Sequence, residues 1–283
     1  MTRVQSRFTD ESRLGISGKV LAACAEENRA ALIAYLPVGY PSVEASLDAF
    51  RALTDGVGVD LVEIGIPYSD PVLDGLVIQH ATTKALQRGV RTRDAFRAAT
   101  AVAERGGTPL VMTYWNLIEQ YGPDAFARDL RAAGGVGVIT PDLTPDESGV
   151  WTAATDKHGL DRIFLVAPSS TDERIASTMA ACRGWVYATS VMGVTGTRTT
   201  TSSAAPVIAQ RAHAADPTLP VGIGLGVSNG DQAAEVAQYA DAVIVGSALL
   251  RCLDSDGADM PGDLDRLRGL VDELAQGVRR SQA

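Results

Sequence analysis

Three carboxylates crowd one short stretch, VEIGIPYSDPVLDG (Val62–Gly75). Glu63 ends an apolar run, and Asp70 and Asp74 follow among prolines and glycines. A carboxylate inside an apolar run is costly unless it is paired or put to use. If the run is a strand, Val59, Leu61 and Glu63 share one face, because side chains alternate along it. An inward Glu63 at the end of that strand would be partly desolvated, which raises its pKa and suits proton exchange near neutral pH. A Glu paired to a basic residue on a neighbouring strand is the competing account. Asp74 precedes Gly75 and a helical pattern over Val77–Leu86, so it is either a helix cap or a second acid–base group. Asp70, between Ser69 and Pro71, suits an Asx-turn.

A second cluster is built of glycine. GVTG (Gly193–Gly196, with Thr195 inside it), GIGLGVS (Gly222–Ser228) and VGSALL (Val245–Leu250) each follow an apolar run. Glycine lets backbone N–H groups approach a ligand closely, and a helix N-terminus attracts an anion. Tight turns between strand and helix want glycine too, so these motifs serve either purpose. No P-loop lysine accompanies them, which suits a monophosphate better than a nucleoside triphosphate. In WVYATSVMGVTG, Trp185 and Tyr187 share a strand face. Tyr187 is either a core tyrosine or one that offers its ring and hydroxyl to a ligand.

The elements that must position these groups follow a simple rhythm. Eight short apolar runs recur: Ala31–Leu36, Asp60–Ile64, Leu110–Thr113, Gly137–Thr140, Ile163–Val166, Val186–Thr189, Val221–Ile223 and Ala242–Val245. Their length and their Gly/Pro flanks favour buried strands. Amphipathic stretches lie between them, at Val43–Leu53, Asp124–Ala133, Asp146–His158, Asp172–Cys182 and Asp231–Tyr239, most opening on an acidic residue as helix N-termini prefer. Gly106, Gly134, Gly159 and Gly184 read as helix stops.

Strand–helix alternation implies a parallel sheet, and eight repeats can close on themselves and remove both edges. The expected fold is therefore an α/β protein, a single (β/α)8 TIM barrel with an extra N-terminal helix near Gly18–Glu27. An open doubly wound sheet is the alternative. One domain spans residues 1–283: a helical extension over 1–28, the barrel over 29–250 and a C-terminal helix over 251–283. In such barrels reactive residues sit at the C-terminal ends of strands, and phosphate binds after strands seven and eight. Glu63 and the later glycine motifs fall at those places.

Composition narrows the function. The net charge is −9, with no basic run longer than a pair, which speaks against nucleic acid and against an anionic membrane surface. Cys24, Cys182 and Cys252 form no CxxC pair, and the three histidines have no metal-ligand spacing, so metal-free chemistry in a reducing compartment is expected. Met1–Gly18 has no apolar signal core, and no run approaches the roughly 18 apolar residues of a membrane span. A cytoplasmic location follows as the expectation.

These motifs, in this order and spacing, resemble the α subunit of tryptophan synthase, most of all its actinobacterial members. The likeness runs from ALIAYLPVGYP through VEIGIPYSDPVLDG, LVMTYWNLIEQYG, PDLTPDES, YATSVMGVTGTR and GIGLGVSN to DAVIVGSALL. It implies a lyase that cleaves indole-3-glycerol phosphate to indole and glyceraldehyde 3-phosphate in tryptophan biosynthesis. It also implies a β-subunit partner in an α2β2 complex, with pyridoxal phosphate in that partner and no cofactor in this chain. By the same resemblance Glu63 is the acid–base glutamate, Asp74 the second catalytic carboxylate, and Tyr187 a tyrosine of the pocket. Thr195, Gly196, Gly224, Gly226, Gly246 and Ser247 fall at the phosphate-binding turns, and Tyr35 and Met112 at the indole pocket.

The chemistry of the residues is compatible with that role. Breaking the C–C bond is a retro-aldol step in which indole must become a leaving group. Asp74 can accept the ring N–H hydrogen bond while Glu63 delivers a proton to C3 and collects one from the side-chain hydroxyl. Tyr35, Met112 and Trp185 are candidates for apolar walls that exclude water. Pro37–Val38–Gly39, Leu76 and Met192 depart from the common family pattern. Other readings are a free-standing indole-3-glycerol-phosphate lyase of specialised metabolism, a non-catalytic activator of a β-type partner, and another phosphosugar barrel enzyme.

Overall fold

The computed structural model describes residues 8, 10–56, 58–189, 204–224 and 226–280. Its strands are β1 (Ala31–Pro37), β2 (Leu61–Gly65), β3 (Pro109–Met112), β4 (Gly137–Ile139), β5 (Asp161–Ile163), β6 (Leu165–Val166), β7 (Val186–Thr189), β8 (Val221–Gly224) and β9 (Ala242–Val245). All pairings between them are parallel. The order across the sheet is β5-β4-β3-β2-β1-β9-β8-β7-β6, so its two ends are consecutive in the chain and only Phe164 separates them. The sheet closes there into a TIM barrel.

The fifth expected strand is thus two short ones. Its residues still alternate: Ile163 and Leu165 pack inside the barrel, Phe164 and Val166 outside. What changes at Phe164 is the ladder partner, from β4 to β7. The run acts as one stave.

The helices are α1 (Glu11–Leu14), α2 (Ser17–Glu26), α3 (Val43–Leu53), α4 (Leu76–Gln87), α5 (Thr92–Ala103), α6 (Trp115–Tyr121) and α7 (Pro123–Ala132). After a 3-10 turn at Pro145–Glu147 come α8 (Gly149–His158), α9 (Asp172–Ala181), α10 (Ala204–Ala215), α11 (Gly230–Val236), α12 (Ser247–Arg251) and α13 (Met260–Arg280). The expected helix from Asp146 begins instead at Gly149, behind the 3-10 turn. Helix α5 is an addition to the expected elements, and it buries the stripe Ala95, Ala98, Ala99 and Val102. Among the described residues, no helix is long and apolar enough to cross a membrane.

Two apolar layers follow from strand alternation. Val62 and Ile64 of β2 face the helices, whereas Leu61 joins an inner cluster with Ile33, Leu110, Ile163, Trp185 and Ile244. Leu21 and Cys24 of α2 belong to that inner cluster, so the N-terminal helix plugs the barrel floor. Asp161 fastens the plug. Its Oδ2 accepts hydrogen bonds from the amides of Ile16 (3.0 Å) and Ser17 (2.7 Å) and from the Ser17 hydroxyl (2.7 Å), satisfying donors at the start of α2.

Gly184 belongs to this junction and is no helix stop. Helix α9 ends at Ala181, and a Cβ on Gly184, whose φ is +106°, would lie 2.7 Å from Ser17 Oγ. A Cβ on Gly18 would lie 2.3 Å from the Gly184 carbonyl oxygen. Glycine here permits backbone contact between plug and barrel. Gly159 does end its helix, in the left-handed conformation.

Candidate active site

Leu61 faces the barrel interior, so Glu63, two residues further on, faces it too, near the C-terminal end of β2. It pairs in register with Tyr35 of β1 and Leu110 of β3. It is 1% exposed, and Oε2 has no hydrogen-bond partner among the described residues. Among the described residues no arginine or lysine pairs with it. Burial, with a further push from the charge of Asp74, raises its pKa to about 8. At neutral pH Glu63 is therefore mostly protonated.

Asp74 lies just before α4 yet does not cap it. The cap position is Gly75, which has no side chain to offer the first amides of the helix. Asp74 is 7% exposed, and burial lifts its pKa to about 6. Two carboxyls in different environments then divide at pH 7 into a proton donor and an anion. Asp70 stands apart: it is exposed and accepts a hydrogen bond from Ser69 Oγ at 2.6 Å.

Two tyrosines cover the carboxyls. The Tyr35 ring lies where Gly65 and Gly246 leave room, since a Cβ on Gly65 would be 2.3 Å from its hydroxyl and one on Gly246 2.9 Å from the ring. The Tyr187 hydroxyl occupies the corresponding space at Gly224, 2.2 Å from a Cβ there. Burial raises both phenol pKa values well above the ordinary one, and the charges of Glu63 and Asp74 add to the effect. Both tyrosines are thus neutral hydrogen-bond donors. Tyr187 stacks on Trp185 with ring centroids 5.8 Å apart. Trp185 is fully buried in the inner cluster, one step nearer the floor, and supports the tyrosine from below. Met112, half-buried at the end of β3, pairs in register with Gly65.

Strand order makes these residues an arc. Glu63 on β2, Tyr35 on β1, Gly246 after β9, Gly224 on β8 and Tyr187 on β7 follow one another around the rim. Gly226, with φ +69°, and the buried Ser247, first residue of α12, lie just beyond the ends of β8 and β9. Gly224 and Gly246 therefore have a packing duty: their missing side chains house the two tyrosines. Thr195 and Gly196, along with Met192 and Gly193, lie outside the described residues.

Tyr114 is absent from the expected site and belongs beside it. Its hydroxyl oxygen accepts hydrogen bonds from the amides of Val72 (3.0 Å) and Leu73 (3.4 Å), directly ahead of Asp74. Its ring stacks on Tyr68 at 4.7 Å. The stretch LVMTYWNLIEQYG contains it, but nothing in its spacing shows that a tyrosine after strand three reaches the loop after strand two.

With this geometry in view, comparison with known proteins is decisive. The family model described as tryptophan synthase alpha chain matches residues 21–279. The chain belongs to the tryptophan synthase alpha chain family. The alpha chain of Mycobacterium marinum is 56% identical over 271 residues, covering 96% of each chain. That of Acidothermus cellulolyticus is 57% identical over 94% of this chain and 98% of its own. The structure resembles Mycobacterium tuberculosis tryptophan synthase with a TM-score of 0.87 and 56% identity, covering 95% of this chain and 98% of that one. Membership makes the chain a lyase of tryptophan biosynthesis that cleaves indole-3-glycerol phosphate to indole and glyceraldehyde 3-phosphate. The alpha chain of this family carries no cofactor; pyridoxal phosphate resides in the β subunit.

Proposed function

We propose that Glu63 and Asp74 carry the cleavage as an unequal pair. Protonated Glu63 donates to C3 of the indole ring. Ionised Asp74 accepts the ring N–H and stabilises the positive charge that develops on the heterocycle. Glu63, now a carboxylate, removes the proton from the glycerol hydroxyl next to the breaking bond. The C–C bond opens, glyceraldehyde 3-phosphate forms, and Glu63 is protonated again. General acid–base assistance of this kind is worth about 10²–10⁴ in rate for each role. The observation that carries the proposal is the pair of buried carboxyls, one pushed up to about 8 and the other to about 6, neither paired with a cation among the described residues.

Tyr35, Met112 and Tyr187 wall the heterocycle, with Trp185 below, and the neutral hydroxyl of Tyr187 lies beside Gly224. The amides at Gly226, Gly246 and Ser247 receive the phosphate, together with Gly224, Thr195 and Gly196. Glycine near the ends of β8 and β9 leaves those amides approachable, as phosphate sites in this fold require. The whole chain serves as one catalytic unit, a barrel with helical extensions at both ends.

The chain works in the cytoplasm with a tryptophan synthase β subunit, in an α2β2 assembly. Support comes from its likeness to the M. tuberculosis synthase and to the tryptophan synthase complex of Pyrococcus furiosus, 29% identical with a TM-score of 0.79. Val72 (62% exposed) and Leu76 (79%) flank Asp74 on the surface, an apolar pair suited to a partner. The test is indole release from indole-3-glycerol phosphate by the purified chain, alone and with a β subunit added. Faster turnover with β supports the assembly. A rate that β leaves unchanged favours a free-standing lyase.

A further inference from the structure

We infer that Tyr114 is a positioning residue, holding the loop that carries Asp74 in its reactive shape through the backbone just ahead of the carboxylate. The inference rests on the reading of Asp74 as a reacting group. Three contacts tie this one side chain to the loop: the Tyr68 stack at 4.7 Å, and the amides of Val72 and Leu73 at 3.0 and 3.4 Å from its hydroxyl oxygen. The two amides use both lone pairs of that oxygen. Tyr114 is itself fixed, being 5% exposed and followed by α6, whose Trp115 amide donates to Asp142 at 2.9 Å. On the other side of Asp74, Gln79 Nε2 donates to the Asp74 carbonyl at 2.7 Å.

Without these ties the segment would have little to keep it folded inward. Ser69, Asp70, Val72 and Leu76 are exposed and Tyr68, Pro71 and Leu73 half-buried, so beyond Pro67 the loop is buried only at Asp74 and Gly75. A loop with solvent on one side and one buried carboxyl opens unless something opposes the cost of dehydrating that carboxyl. Tyr114 supplies the opposition from just after β3, a neighbour of the strand that holds Glu63.

A pH profile separates positioning from simple packing. Among the described residues, the ionisable groups around Asp74 are Glu63 on β2, Tyr35 on β1, Tyr187 on β7 and Tyr114 itself, and all are neutral near pH 6. The substrate phosphate also titrates near 6 but is unchanged by substitution, so a shift of the acid limb of kcat/KM on substitution reports how deeply Asp74 is buried. Tyr114→Phe keeps the ring and the stack but removes the acceptor oxygen. Its acid limb is expected to move down from near 6 toward the ordinary carboxylate value by at least about half a unit, with kcat falling about tenfold and KM little changed. An acid limb that stays in place overturns the proposal, whatever the rate.

Amide hydrogen exchange of the unmodified protein gives a second test that needs no variant to fold. Val72 and Leu73 are expected to exchange more slowly than Ser69 and Asp70, and equal exchange overturns the proposal. Full activity in Asp74→Asn would instead refute the role given to Asp74. That result would leave the exchange pattern untouched, so the two failures are distinguishable.

Discussion

Tyr35 and Gly65 share a single volume: the tyrosine hydroxyl lies 2.3 Å from where a side chain on the glycine would begin. A residue on β1 therefore reaches over the strand carrying Glu63 only because that strand ends in glycine. Gly65→Ala should cost about 1–3 kcal/mol, the usual penalty of overpacking. Tyr35→Leu in the same chain should recover most of it. A double-mutant cycle measured by denaturant unfolding would give a coupling near zero if the two positions were independent.

Replacing Glu63 by Gln keeps the shape and removes the proton donor. Indole formation should fall by about 10²–10⁴ or more. Affinity for a phosphate ligand such as glycerol 3-phosphate, measured by calorimetry, should survive. Parallel loss of affinity and rate would point to a folding defect.

Asp74→Asn should lose rate on a similar scale, since its amide cannot balance charge on the ring nitrogen. Because Asp74 caps no helix, its thermal stability should not drop. A fall in melting temperature with full activity would contradict the catalytic role.

The two raised pKa values set a pH window. Activity needs Asp74 ionised and Glu63 protonated, so kcat/KM should be bell-shaped between about 6 and about 8. The limbs belong to the pair as a whole, because the carboxyls influence each other. A profile flat from pH 5 to 9 would remove the basis for unequal roles.

The same elevation affects stability. Glu63 binds its proton more tightly folded than unfolded, so the native state is penalised as pH rises from the ordinary carboxylate range through about 8. Glu63→Gln lacks the penalty. It should melt a few degrees above the unmodified chain at pH 9 and show little advantage at pH 4, as scanning calorimetry would record.

The part of the site readable from sequence is the part ruled by strand geometry. Once Leu61 faces inward, the period of two leaves Glu63 no other direction, and the glycines near the ends of β8 and β9 mark the rim. Long-range contacts are less legible. Gly184 has the same local signature whether it stops a helix or admits the α2 plug, and only the fold separates the two. Likewise Asp74 before a helical pattern resembles a cap, and its burial depends on Tyr114, far along the chain. The switch of partners at Phe164 is silent because the inside–outside alternation of its stave continues unbroken. Helix α5 is different: its alanine stripe is present in the sequence, but a second helix between two strands departs from the simple alternation.

With Leu21, Trp185 and the α2 plug filling the floor, the described residues leave the barrel closed at its base. Traffic through the base being blocked, reactant and products are left with the rim, where Val72 and Leu76 are exposed. Any protein seated on that rim therefore controls departure as well as admission, so the traffic of indole depends on what sits over the loop, not on a passage through the base.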